Sequence, residues 1–195
     1  MRVSIRHGFT FLCMPKSAST SVEQALTNYC ELITRGKYAT RLKHTNYRRY
    51  HRFIEPYIKT VSPQLPETVC LMREPIDWLH SWYRYRKRDI LDGSPQSTKD
   101  ITFEEFCQAY MDGEINVGRQ YDFIRTKDHK VGVQNIFRYE ELDKLQKYFE
   151  KKIGHRIDFP VMNVSPKETR ELGKTMETKL RNFLKKEYDI YNTLL

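Results

Sequence analysis

Three short apolar segments, each followed by residues with helical spacing, set the strongest constraint on the fold of this chain. Each segment is flanked by turn-forming or polar residues, as buried strands are. They span Phe9–Met14, Glu67–Met72 and Val133–Arg138. Strands that alternate with helices favour a parallel sheet covered by helices on both faces. The sequence therefore predicts an α/β fold with a central parallel β-sheet flanked by helices.

The expected helices follow from apolar residues spaced three and four positions apart. A length of 195 residues suits one domain, so residues 1–195 are predicted to form a single domain. The polar segments Lys37–Ser62 and Leu91–Asp100 fit loops or short helices over the ligand-binding edge. The predicted helices cover about Ser19–Tyr29, Ile76–Asp89, Phe103–Met111, Glu140–Lys151 and Thr175–Tyr188.

Composition narrows the class of protein. A hydrophobic fraction of 39% is enough for a packed core and excludes a disordered chain. The net charge of +9 suits a nucleic acid, an acidic polymer or a small polyanion, and a solvated basic surface gives the same balance. No apolar run has the length of a signal-peptide core or a membrane span, so we expect a cytoplasmic protein without stable membrane insertion. Widely spaced cysteines predict reduced thiols and no metal site, at Cys13, Cys30, Cys70 and Cys107.

The segment after the first predicted strand has the composition of an anion-binding turn. The apolar run stops at Pro15, and Lys16 and four hydroxyl side chains precede a helical pattern that begins at Val22. A tight turn between a strand and the N-terminus of a helix places free backbone N–H groups around an anion. The glycines of a Walker A loop are missing, so the turn is tighter than a triphosphate requires. The alternative is a helix N-terminus capped by Ser17 or Ser19 beside an exposed lysine.

A second candidate site follows the second predicted strand. Arg73 ends that strand, and a proline two positions later opens a helix. Helical spacing places Ser81 on one face with Asp77, Arg84 and Arg88, away from the main apolar stripe. An arginine at the strand end can bind a phosphate in a forked geometry, and Ser81 would contact the same group. A solvated helical face with Asp77 paired to Arg84 or Ser81 would explain the same residues.

Together, the two motifs resemble those of sulfotransferases that use 3′-phosphoadenosine-5′-phosphosulfate (PAPS). Residues 15–21, Pro-Lys-Ser-Ala-Ser-Thr-Ser, are similar to the family's 5′-phosphosulfate loop, and Arg73 with Ser81 is similar to its 3′-phosphate site. The loop, Phe137–Leu142 and Pro160–Asn163 most resemble carbohydrate sulfotransferases of the heparan sulfate 2-O-sulfotransferase type. The cytosolic small-molecule branch carries glycine in place of Ala18 and a late Arg-Lys-Gly segment, and this chain has neither.

The resemblance implies a sulfotransferase fold and metal-independent transfer of a sulfuryl group from PAPS to a hydroxyl acceptor, with PAP as product. It implies that the acceptor is a carbohydrate or an acidic glycan. Lys16 would stabilise the leaving phosphate. The general base would be His44, where the family often carries a Lys-His pair, with His51 as the alternative and His80 as a structural residue. The residues implied to bind the cofactor are Lys16, Ser17, Ala18, Ser19, Thr20, Ser21, Arg73 and Ser81.

Two other functions fit part of the sequence. A P-loop nucleoside or small-molecule kinase would bind ATP with magnesium, but the missing Walker glycines count against it. A basic nucleic-acid-binding module would use the aromatic and basic stretch Tyr47–Phe53, but no recognition motif supports it, and we expect no nucleic-acid partner. That stretch and the pair Arg84 and Arg88 are also candidate contacts for an acidic glycan, or simply solvated basic surface.

Overall fold

A five-stranded mixed sheet forms the centre of the computed structural model, which describes residues 1–36, 40–160 and 169–194. The strand order is β3-β1-β2-β4-β5. In this order, β2, β4 and β5 run parallel, while β1 is antiparallel to both β2 and β3. The strands are β1 (Arg2–Ser4), β2 (Phe9–Phe11), β3 (Leu32–Ile33), β4 (Glu67–Met72) and β5 (Asn135–Arg138).

Helices occupy most of the remaining described chain. Residues Tyr50–Ile54 form a π-helical turn, and Thr27–Tyr29, Asp89–Leu91 and Tyr139–Glu141 form 3-10 turns. No described helix is long and apolar enough to cross a membrane. The α-helices are α1 (Ser19–Leu26), α2 (Thr40–Lys43), α3 (Tyr47–Arg49), α4 (Glu55–Val61), α5 (Pro75–Arg86), α6 (Phe103–Met111), α7 (Gln120–Ile124), α8 (Leu142–Ile153), α9 (Lys174–Phe183) and α10 (Lys185–Tyr191).

The predicted α/β class is confirmed, but the sheet is not wholly parallel. The three predicted strands pair in parallel, and the bounds predicted for β4 match the structure. The antiparallel strands β1 and β3 are additions that the prediction of a parallel sheet missed. A tight turn closed by the bond from the Gly8 N–H to the Ile5 carbonyl (3.3 Å) reverses the chain between β1 and β2. Gly8 has φ +68°, where only glycine avoids strain, so β1 returns as a hairpin.

The segment predicted as loops or short helices before β4 is mostly helical. α3, the π-helical turn and α4 follow one another without a break from Tyr47 to Val61. The side chain of Asn46 caps α3 by accepting a bond from the Arg49 N–H at 3.0 Å. Tyr50 and Ile58 are each 1% exposed, so the segment packs onto the core. Residues 37–39 at its start lie outside the described residues, as do residues 161–163 of the Pro160–Asn163 segment.

The other predicted helices differ from the structure mainly at their ends. α6 has the predicted bounds, and α8 begins two residues later than predicted because a 3-10 turn precedes it. The last predicted helix is divided at Leu184 into α9 and α10. These shifts leave the predicted elements in their predicted order.

Phe149 is a buried aromatic side chain through which α8 packs on the sheet. Phe149 is fully buried. The centroid of its ring lies 4.9 Å from the ring centroid of Phe9 and 6.0 Å from that of Phe11, and both pairs meet edge to face. Both partners belong to β2, the strand that leads into the candidate anion-binding turn. Packing at Phe149 therefore fixes the strand from which that turn emerges.

We expect Phe149→Ala to lower the free energy of unfolding by about 3–5 kcal/mol, because it removes buried contacts and leaves a cavity. Urea unfolding followed by circular dichroism measures this loss. Phe53→Ala is the matched control, since Phe53 is 61% exposed and its loss should change stability by no more than about 0.5 kcal/mol. Similar losses in the two variants would contradict the packing described for α8.

Candidate functional site

The turn between β2 and α1 has a backbone conformation that L-residues rarely adopt. Lys16 has φ +64° and Ala18 has φ +46°, both in the left-handed region. Each such residue costs roughly 1–2 kcal/mol relative to right-handed backbone. Left-handed residues within a turn direct successive N–H groups into a concave site for an anion, and strain of this kind concentrates at ligand sites.

The start of α1 is not held by a side-chain cap. The helix begins at Ser19 with Ala18 as its N-cap residue, and no side chain accepts a bond from its first turn. The alternative interpretation, a helix capped by Ser17 or Ser19 beside an exposed lysine, is therefore wrong. Lys16 is also partly buried rather than exposed. The Ser21 N–H donates to the Ala18 carbonyl at 3.1 Å, and the N–H groups of Ser19 and Thr20 have no acceptor among the described residues and remain for another one.

The hydroxyl groups of the turn lie inside the structure. Ser17 is 1% exposed, and its Oγ has no hydrogen-bond partner among the described residues. Ser19 and Ser21 are buried as well, at 6% and 8% exposure. An unsatisfied buried hydroxyl costs about 1–3 kcal/mol, which a bound anion would recover by accepting its hydrogen bond. The donors at this turn thus fit an anionic ligand.

A tryptophan of α5 fixes the position of the turn. The Trp78 indole Nε1–H donates to the Pro15 carbonyl at 2.9 Å, and Trp78 is 3% exposed. The indole therefore links the helix after β4 to the turn after β2. This bond joins the two segments in which the sequence predicted phosphate contacts.

The ammonium of Lys16 lies in a strongly positive environment. Its Nζ lies 4.3 Å from the centroid of the Tyr85 ring and 5.8 Å from that of Trp82. Burial, followed by the charges of three guanidinium groups, lowers the pKa of Lys16 to about 8. Those groups belong, in order of effect, to Arg88, Arg73 and Arg84. Four cations at one site favour a polyanionic ligand.

Arg73 is held at the end of β4 by a buried glutamine. The Gln120 side chain accepts from the Arg73 N–H at 2.9 Å and donates to the Arg73 carbonyl at 2.8 Å. Gln120 is 1% exposed. The guanidinium lies 4.5 Å from the Tyr139 ring centroid, and its Nε is buried without a hydrogen-bond partner in the described chain. Arg73 therefore has donor capacity left for a ligand.

The alternative that Ser81 lies on a solvated face of α5 is wrong. Ser81 is 5% exposed, and burial extends around most of this helix because other helices, among them α6 and α10, pack against it. That alternative also pairs Asp77 with Arg84 or Ser81. In the structure, the Asp77 carboxylate instead accepts a hydrogen bond from the Arg170 guanidinium at 2.9 Å. α5 ends at Arg86, so Arg84 lies within it and Arg88 beyond it.

His44 lies against the anion-binding turn. Its Nδ1 lies 2.7 Å from the carbonyl oxygen of Cys13, at the end of the buried run from β2. The neighbouring Lys43 donates to Thr20 Oγ1 at 3.1 Å and pairs with Glu23 at 3.2 Å. Burial lowers the pKa of His44, and the bond to the Cys13 carbonyl only partly offsets this effect. The histidine is therefore neutral near pH 7.

The two other histidines considered lie in different surroundings. His51 has a side chain that is 60% exposed, and its Nδ1 lies 2.8 Å from Glu55 Oε2 within its own helical segment. His80 is 5% exposed, and its ring lies 4.8 Å from that of Phe103. Of the three, only His44 has a described contact with the run that leads into the turn.

The structure places the predicted residues of the turn, Lys16 through Ser21, together with His44, and joins them through Trp78 to the helix that follows Arg73. Lys43 and Gln120 were not predicted. The Lys-His pair in the sequence was a signal for Lys43, whereas nothing in the sequence marked Gln120. Among the described residues, no group of three or more His, Cys, Asp or Glu side chains could hold a metal ion.

Sequence comparisons find no match for this chain, and a comparison of structures finds a distant likeness. No protein-family model matches the chain, and no curated protein matches it. Among solved structures, the chain is similar to the crystal structure of mouse sulfotransferase SULT7A1 complexed with PAP, with 15% sequence identity and a TM-score of 0.45. The match covers 95% of this chain and 66% of the other, so this chain spans just under two thirds of the length of that structure.

We expect Ala18→Gly to raise the free energy of unfolding by about 1 kcal/mol and the melting temperature by about 2–4 °C, because glycine adopts the left-handed conformation without strain. Differential scanning calorimetry measures both changes. Ala25→Gly within α1 is the control and should instead destabilise the protein by about 1 kcal/mol. A loss of stability in Ala18→Gly would contradict the strained backbone described for the turn.

Proposed function

We propose that residues 1–195 form a single PAPS-dependent sulfotransferase domain that sulfates a hydroxyl group of a carbohydrate or acidic glycan. One observation carries the proposal: Ser17 Oγ and Arg73 Nε are both buried and lack partners in the described chain, and they follow adjacent parallel strands. A ligand with two separate phosphate groups would satisfy both. The resemblance of these segments to the two phosphate sites of sulfotransferases supports this ligand, and it also supports the carbohydrate acceptor.

The residues present fit such a cofactor. The left-handed turn and the hydroxyls of residues 17–21 would hold the 5′-phosphate, with Ala18 contributing its backbone. Arg73 and Ser81 would hold the 3′-phosphate. When bound, PAPS supplies a sulfuryl group attached to a phosphate leaving group. The described contacts of the turn, to Trp78 and His44, keep its donors in place before the ligand enters.

Lys16 would carry the charge that accumulates on the leaving phosphate. Its ammonium lies in a partly dry, positive site, where electrostatic stabilisation is stronger than in water. Its place between Pro15 and Ser17 keeps it beside the N–H groups that would bind the same phosphate. The role proposed for Lys16 is therefore charge stabilisation rather than proton transfer.

His44 would accept the proton of the acceptor hydroxyl. A carbonyl oxygen can only accept a hydrogen bond, so the Cys13 carbonyl selects the tautomer of His44 that carries its proton on Nδ1. Nε2 then has a free lone pair. Because burial lowers the pKa of His44, the base form is already present at neutral pH. The contact of Lys43 with Thr20 holds this segment next to the turn.

We expect PAP at about 100 times its Kd to raise the melting temperature by about 5–10 °C, while ATP with magnesium gives a much smaller shift. Arg73→Ala should abolish most of the PAP shift, because it removes a charge-assisted contact. Lys16→Ala should keep most of the shift and lower kcat about 10²–10³-fold, because its contact strengthens only as charge develops.

Lys147→Ala is the control for loss of one surface charge, since the Lys147 side chain is 76% exposed on α8. It should leave the PAP shift and kcat unchanged. A larger shift with ATP and magnesium than with PAP would favour the kinase alternative. Binding of PAP with wild-type turnover in Lys16→Ala would refute the role given to that lysine.

We expect a bell-shaped dependence of kcat/KM on pH. On the acid side the rate falls as His44 becomes protonated, at a pH below the ordinary histidine value of 6.5, because burial lowers its pKa. On the alkaline side it falls as pH rises through about 8, because Lys16 loses its charge. Lys16→Arg keeps the positive charge at all these pH values and should lose only the alkaline limb. An unchanged alkaline limb in Lys16→Arg would contradict this assignment.

A further inference from the structure

Three aromatic side chains of α5 lie along the anion-binding turn. Trp78, Trp82 and Tyr85 are spaced four and three residues apart, so they follow one side of the helix. Their rings meet edge to face, at 6.2 Å between the two tryptophans and 5.8 Å between Trp82 and Tyr85. Trp78 binds the Pro15 carbonyl, and the other two rings lie next to the Lys16 ammonium.

The ammonium needs such contacts because its charged neighbours repel it. The charged groups that act on the pKa of Lys16 are all cations, from the end of β4 (Arg73) and from α5 and its C-terminal continuation (Arg84 and Arg88). With no anion bound, this repulsion favours rotation of the flexible lysine side chain into solvent. The faces of aromatic rings carry negative charge density and attract cations, most strongly where water is partly excluded.

Tyr85 has the closer contact and is shared by two cations. Its ring centroid lies 4.3 Å from Lys16 Nζ and 4.8 Å from the Arg88 guanidinium carbon. Trp82 lies farther from the ammonium, at 5.8 Å, and supports the Tyr85 ring from the edge. The ring of Tyr85, rather than its hydroxyl, makes these contacts.

We propose that Trp82 and Tyr85 are positioning residues, whose ring faces hold the Lys16 ammonium at the turn both before and after an anion binds. The lysine is then already in place when a phosphate enters, and no ordering of its side chain is required at that step. The inference rests on the proposed function, because stabilising a leaving phosphate is the task for which Lys16 is positioned.

The first test measures Lys16 itself and uses no cofactor. Its reaction with acetic anhydride is followed by mass spectrometry from neutral to strongly alkaline pH in wild type, Tyr85→Phe and Tyr85→Leu. The wild-type midpoint should lie at about 8. Leucine fills similar space without a ring face, so the ammonium loses a stabilisation that the neutral amine does not receive, and the Lys16 midpoint should fall by about one unit. Tyr85→Phe should keep the wild-type midpoint.

The second test compares turnover with PAP binding in the same variants. Tyr85→Leu should lower kcat about 5- to 30-fold, the effect of losing a cation–π contact worth up to about 2 kcal/mol, and should change the Kd of PAP by less than about twofold. Tyr85→Phe should restore most of the lost kcat. Tyr57→Leu is the control, since Tyr57 is 60% exposed on α4 and should behave as wild type.

The two tests separate failure of the inference from failure of the proposed function. A lowered Lys16 midpoint in Tyr85→Leu, in a protein that neither binds PAP nor transfers sulfate, would support the aromatic contact and refute the sulfotransferase proposal. A raised midpoint in Tyr85→Leu would overturn the inference, because the ring face would then not stabilise the ammonium. Equal midpoints in the phenylalanine and leucine variants would overturn the inference, whether or not the enzyme is active. Equal losses of kcat in both variants would do the same, because a ring face would then have no special role.

Discussion

The parallel pairing of β2 with β4 is the constraint on which the candidate site depends. Phe9 pairs with Glu67 and Phe11 with Val69, and the Leu12 N–H continues the ladder by donating to the Val69 carbonyl at 2.8 Å. The two strands therefore end side by side, one leading into the turn at Pro15 and the other into Arg73. A slip of one residue would turn every side chain to the opposite face of the sheet. Packing of α8 on β2 opposes such a slip through Phe149.

The sequence predicted those parts of the fold that local patterns encode. β4 has the predicted bounds because it is an apolar run buried on both faces and flanked by polar residues. β1 and β3 have three and two residues, which is too short for any periodicity, and they become strands only through their partners. The helical segment before β4 was predicted as loops or short helices because exposed basic and aromatic residues obscure the stripe that begins at Tyr50.

The candidate site shows the same division between local and distant information. Lys16, Arg73 and His44 could be named because a turn, a strand end and a Lys-His pair are local features. The partner that holds Arg73 could not, since Gln120 lies 47 residues further along the chain. The burial of Ser81 could not be predicted, because helical spacing defines faces but not what covers them, and α5 is covered on several sides.

Three cations of the candidate site have aromatic rings rather than carboxylates as their described side-chain partners. Away from it, Arg119 pairs with the buried Glu187 at 2.7 Å, and Arg170 pairs with Asp77 at 2.9 Å. At the site, the described side-chain contacts of Lys16, Arg73 and Arg88 are with the rings of Trp82, Tyr85 and Tyr139.

This difference has an electrostatic consequence. A carboxylate partner would neutralise the local charge and repel an incoming phosphate, whereas an aromatic ring attracts a cation without carrying net negative charge. Ring partners thus hold the side chains in place and leave the positive potential of the site intact. Folding gains less from such contacts than from well-formed ion pairs, and the repulsion among the cations is relieved only when an anion binds. The arrangement is therefore better explained by recognition of a polyanion than by the stability of the fold.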